Sequence, residues 1–166
     1  LPELTSLFAS VCDYYNGTNS GIGLPECDGY IGTVIPKSPE QSEYIEELVL
    51  RTEMIRAKLV KNHEDNLLKV THDGRAAALD IRLTGAELSP DTYETKTSAC
   101  ARNVYNCWKE NPGTSQLVFC DLGTPKRGFN IYDELKSCLV HMGIPSHQIA
   151  FVHDAGTDAK RRKLFD

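Results

Sequence analysis

Apolar side chains recur every three to four positions over most of this chain and run without a break in two short stretches near its end. Leu4, Leu7, Phe8, Val11 and Tyr15 share one helical face and predict a short amphipathic helix within residues 1–15. Residues 16–29, rich in Gly, Asn and Ser, read as a loop. Tyr30 to Pro36 reads as a strand closed by its proline. The strongest helix signal follows. Ser38 is an N-cap, Pro39 occupies the first helical position, and Gln41 completes a capping box. Glu40, Glu43, Glu46 and Glu47 sit near its start and Arg56, Lys58 and Lys61 near its end, the order the helix dipole favours. Tyr44, Ile45, Leu48, Val49, Ile55 and Leu59 form its expected buried stripe, and the pattern carries it over 39–62. Residues 66–83 combine a turn at Asp73-Gly74 with a short helix at 75–83, and Gly85 to Asp91 reads as a linker.

Beyond the linker, Thr95 to Glu110 suits a helix with Ala99, Val104, Cys107 and Trp108 towards a core, stopped by Asn111-Pro112-Gly113. Gln116 to Cys120 is then a continuous apolar run ending at Asp121. Asn130 caps a helix whose apolar face is Ile131, Leu135, Cys138, Leu139 and Met142, ended by Gly143. Gln148 to Val152 is a second apolar run, ending at His153-Asp154, and Thr157 caps a last helix from 158. Strand, helix, strand, helix with uninterrupted apolar strands implies a parallel sheet buried on both faces and a right-handed crossover. The expected fold class is therefore α/β: a mostly helical connector with one short strand over 1–90, then a partial parallel sheet over 91–166. Ligands of such sheets bind beyond the carboxyl ends of the strands, which places Asp121 to Thr124 and His153 to Thr157 at a site edge.

Composition narrows the class. The 166 residues are 40% hydrophobic and 25% charged, an ordinary globular balance that excludes disordered and collagen-like chains. A net charge of −5 excludes a globally basic nucleic-acid binder. The charge is uneven: residues 1–90 hold 8 Lys/Arg against 14 Asp/Glu, and residues 91–166 hold 10 against 9. Any contact with a polyanion is expected from the second part. No apolar run is long enough to span a membrane, and the first residues carry no signal-peptide pattern. The six cysteines include no Cys-x-x-Cys pair, so they read as free, buried thiols of a reducing cytoplasm rather than as a zinc site. Asn16-Gly17-Thr18 matches a glycosylation sequon but reads as a turn. The chain starts at Leu1 and stops at Asp166 without a capping glycine, and both ends read as cuts in a larger protein.

Several short constellations could carry chemistry. Asp121, after a buried run and before Gly123-Thr124, could serve an anion site, bond the amides of its own turn, or act as the nucleophile of a haloacid-dehalogenase-like phosphatase. That family needs a second acid where Gly123 stands. Pro125-Lys126-Arg127-Gly128 forms a short basic loop suited to phosphate, with a solvated loop as the alternative. His153 and Asp154 lack a matching nucleophile and suit a structural pair. Lys160-Arg161-Arg162-Lys163 places four positive charges on one helix, of which one or two can face one ligand. There is no Walker-type phosphate loop, no Gly-x-Gly-x-x-Gly and no His-Glu-x-x-His.

Gln116-Leu-Val-Phe-Cys-Asp121 resembles the strand that opens the second RecA-like domain of superfamily 2 helicases, and Ile149-Ala-Phe-Val-His-Asp154 with the basic helix resembles the next strand and helix. Phe129-Asn-Ile-Tyr-Asp-Glu-Leu-Lys136, Gly143-Ile-Pro145 and Phe151-Val-His-Asp154 look like one subgroup: large bacterial mobile-element proteins that join a Swi/Snf-type helicase to an adenine-specific DNA methyltransferase. Pro36 to Gln41, Asn66 to Thr71 and Asp73 to Asp80 resemble that group's connector between its two RecA-like domains. The likeness covers about residues 30–166.

The resemblance implies that 91–166 is the N-terminal part of the second RecA-like domain, in a bacterial cytoplasmic protein that couples ATP hydrolysis to movement on DNA. ATP and magnesium would belong to the parent, with no catalytic residue here. Thr124, Lys126, Arg127 and Arg161 would contact nucleic acid, with Asp121, His153 and Asp154 at the site edge. A half-sheet would leave an edge for self-association. Two further readings stand beside it: the phosphatase using Asp121, and an inert protein-interaction module using the acidic helix 39–62.

Overall fold

The computed structural model describes residues 2–12, 29–89 and 94–165. The expected loop at 16–29, with the Asn16 sequon and Cys27, falls almost wholly outside them. The chain divides into two compact units, Leu1–Gly32 and Thr33–Asp166. In the first, helix α1 spans Pro2–Val11, inside the expected 1–15.

In the second, α2 spans Pro39–Arg56. Its start is as the sequence dictates: the Gln41 amide donates to Ser38 Oγ at 3.2 Å, and the Ser38 amide donates to Gln41 Oε1 at 2.9 Å. Its end comes six residues before the expected Asn62. Lys58 enters the left-handed region at φ 56°, its amide donating to Ile55 O and that of Leu59 to Met54 O, the pair of bonds that closes a Schellman motif. Glycine normally holds that position, so the stop carried no sequence signal. The inward face is also partly polar. Leu48 is buried, whereas Ile45, Val49 and Leu59 of the expected stripe are exposed. Gln41 and Arg51 take their place, Gln41 Nε2 donating to Ala77 O at 2.7 Å.

Helix α3, Leu67–Leu79, is capped by Asn66 and runs straight through Asp73-Gly74, where a turn was expected. Gly74 is helical and faces α2, where a Cβ would lie 3.5 Å from Leu48 Cδ1, an ordinary packing distance. A 3-10 turn follows at Ile81–Thr84. Helix α4, Lys96–Glu110, falls within the expected 95–110 and is capped by Thr95. Helix α5, Ile131–His141, is capped by Asn130. Ala101, Leu139 and Ile144 form the buried centre between α4 and α5, with Val104, Trp108, Leu135, Cys138 and Met142 packed around them. Helix α6, Asp158–Phe165, ends the chain, its Lys160 amide on Thr157 Oγ1.

The described residues contain no strand, and this overturns the α/β reading. Tyr30 to Pro36 and Gln116 to Cys120 are irregular, and Gln148 to Val152 is broken by 3-10 turns at Ser146–Gln148 and Val152–Asp154. No partial RecA-like parallel sheet is present. A strand exists only by pairing, and none of these segments pairs with another. Leu117, Val118 and Phe119 stand 65%, 45% and 89% exposed, so the run that reads as doubly buried is largely open to solvent. The architecture is instead helical, with the core between helices. No helix of the described residues is long and apolar enough to cross a membrane.

Candidate nucleic-acid interface

The segment between Cys120 and α5 is a loop with both ends tied. The Ile131 amide donates to Gly123 O at 3.1 Å, closing the loop on itself. Gly123, at φ 66°, turns the chain where a Cβ would lie 2.5 Å from Ile131 Cγ1 and 3.2 Å from Leu83 Cδ2. Gly128 supplies a second left-handed position at φ 84°. Asn130 fills the inside and is 2% exposed. Its Nδ2 donates to Lys126 O at 3.3 Å, Gly128 O at 3.5 Å and Asp133 Oδ2 at 2.6 Å, while its Oδ1 accepts from the Asp133 amide at 2.9 Å. One buried amide thus holds both the loop and the first turn of α5. Thr124, Lys126 and Arg127 are exposed on this loop.

Asp121 sits at the loop entrance. Its Oδ2 accepts from Arg75 Nη2 at 2.7 Å, with side chains 81% and 56% exposed. A screened surface pair of this kind contributes little to stability. Asp121 is thus engaged by an arginine, with Gly123 where a phosphatase would need its second acid. Beside it, Tyr132 donates its hydroxyl to Cys120 O at 2.8 Å and stands edge-on to His153, ring centroids 5.0 Å apart, and to Phe151 at 5.4 Å. Burial, then the neighbouring Cys120 and Asp121, push the Tyr132 phenol above its ordinary range. His153 is therefore an aromatic neighbour of Tyr132. Asp154 is exposed at the end of its 3-10 turn.

Arg161 lies apart from these. Its Nε donates to Ala155 O at 3.2 Å and its Nη1 to Asp158 at 3.4 Å, so its guanidinium closes the start of α6. Of the four expected nucleic-acid contacts, the fold therefore brings Thr124, Lys126 and Arg127 onto one loop and engages Arg161 locally.

The free thiols among the described residues are Cys12, Cys100, Cys107, Cys120 and Cys138. Burial pushes the Cys100 thiol up, with Cys120 adding to it, and burial followed by Glu134 raises that of Cys138. Both are poor nucleophiles. No group of three or more His, Cys, Asp or Glu suited to a metal occurs among the described residues.

Sequence reasoning missed Arg82. Its Nε and Nη2 donate to Asp80 at 2.9 and 2.8 Å, its Nη1 donates to Glu134 at 2.8 Å, and its guanidinium carbon lies 4.2 Å from the centroid of the Phe129 ring. The Asp80 side chain is 0% exposed. Hydrogen bonding to Asp80 holds the guanidinium protonated still more firmly than usual. The only available hint was an acid and a base two residues apart after an alanine-rich helix.

No protein-family model, curated protein or solved structure matches the chain.

Proposed function

We propose that this chain is part of an ATP-driven, Swi/Snf-type DNA translocase of a bacterial mobile element, acting in the cytoplasm and joined to an adenine-specific DNA methyltransferase. Its own task is to hold DNA phosphates and to couple the connector to that contact; it does not hydrolyse ATP alone. The observation that carries this reading is the tied loop 123–130, which presents Thr124, Lys126 and Arg127 to solvent on a backbone fixed by Asn130. A backbone already fixed costs less to order on binding, and Lys and Arg supply most backbone contacts to DNA. The likeness of Phe129 to Lys136 and of Gly143 to Pro145 to the translocase group supports the same reading, whereas the segments likened to its strands, 116–121 and 149–154, are not strands. ATP and magnesium belong to segments outside this chain, which has no phosphate loop to hold them.

Fluorescence anisotropy with a labelled duplex over a salt series tests the proposal. Two phosphate contacts predict that log K falls with log salt at a slope of about −1.8. Lys126→Ala should make that slope shallower by about one and weaken all duplex sequences alike. Binding indifferent to salt, or no binding at about 50 mM salt, would sink the reading.

A further inference from the structure

We infer that Arg82 is the positioning residue of loop 123–130, fixing from the connector the loop on which phosphate would be held. The inference rests on the phosphate-contact reading above. Arg82 follows α3, yet every group it touches outside its own turn belongs to the far end of the loop or to α5. Buried Asp80 grips one side of the fork, Glu134 takes the other, and the flat face covers Phe129, the residue before the Asn130 lock. The next residue, Leu83, packs where Gly123 turns, so the 3-10 turn touches both ends of the loop. Arg75 adds an exposed pair to Asp121 at the loop entrance. A planar guanidinium held from two sides and across its face has its charge matched by two carboxylates and three of its five N–H donors engaged, so Arg82 serves the loop rather than a phosphate. It acts by keeping the loop in its binding-competent shape. Loss of that shape weakens apparent affinity in proportion to the competent fraction.

Hydrogen exchange and duplex anisotropy together test this on Arg82→Gln and Phe129→Leu. The second variant leaves the Asp80–Arg82 pair intact, so it keeps the test open if Arg82→Gln fails to fold. The amides of Ile131, Asp133 and Glu134, which close the loop onto Gly123 and Asn130, should exchange about tenfold faster in both, with those of α4 unchanged. Duplex affinity should fall by up to about tenfold while the salt slope stays that of the wild type. Three outcomes overturn the inference: loop exchange that does not change, exchange that accelerates equally in α4, or a slope shallower by about one in Arg82→Gln. Wild-type protein that binds no duplex overturns the phosphate reading instead, and the exchange result still decides whether Arg82 holds the loop.

Discussion

Arg51 and Asp65 form a two-pronged ion pair, Nε meeting Oδ2 at 2.8 Å and Nη2 meeting Oδ1 at 3.0 Å. The remaining terminal nitrogen, Nη1, donates to Asp73 at 2.9 Å. One side chain of α2 thereby fastens both the turn before α3 and α3 itself. A salt bridge at this point is specific in geometry because the fork matches a carboxylate edge to edge.

The pair makes stability depend on pH in one direction. Hydrogen bonding from Arg51 holds the Asp65 carboxyl below its ordinary value of 3.8. A depressed carboxylate contributes stability that is present above that ordinary value and is lost as pH falls through the folded value. Thermal unfolding followed by helical circular dichroism should therefore show a fall in Tm on acidification below about pH 4. Asp65→Asn should flatten part of that fall and leave the neutral-to-alkaline side unchanged in shape. An identical acid limb in the variant would show that the pair does not report on folding.

Gly123 is the loop position least tolerant of a side chain. A Cβ there meets Ile131 Cγ1 at 2.5 Å, and the backbone is left-handed at φ 66°. Gly123→Ala adds left-handed strain to a steric clash, so a loss of roughly 2–4 kcal/mol is expected in denaturant unfolding. Gly113→Ala, equally left-handed at φ 83° with nothing within 4 Å, isolates the backbone cost and should lose about 1–2 kcal/mol. Equal losses at the two positions would mean that Ile131 moves aside freely.

Much of the helical content was legible because its signals are local. Ser38 and Asn130 cap the helices they were expected to cap, and Ile131 and Leu139 of the α5 stripe are buried. The α2 stripe misled in part: Leu48 is buried, but Gln41 and Arg51 turn inward while Ile45 and Val49 stay exposed, so polarity alone placed the face wrongly. The strands misled for another reason. Val, Leu and Phe in sequence state only that a segment is apolar, and pairing is a property of distant segments that no short window contains. At the candidate site, Thr124, Lys126 and Arg127 could be seen as a basic loop. Asn130, which ties that loop, was visible only as a cap, and Arg82 was not visible at all. Its partners Phe129 and Glu134 lie 47 and 52 positions further along the chain.

The same separations order the assembly of the chain. The two carboxylates held by Arg51 lie 14 and 22 residues away, whereas Glu134 lies 52 residues from Arg82. Closing the longer span costs roughly 1 kcal/mol more in loop entropy than closing the shortest. Stopped-flow refolding should accordingly show α2 and α3 packed before Arg82 docks on Phe129 and Glu134, and simultaneous docking would contradict this order. During synthesis the asymmetry becomes one of time. The Arg51 clamp can shut once residue 73 has left the ribosome, while Arg82 meets its second carboxylate only when residue 134 has followed.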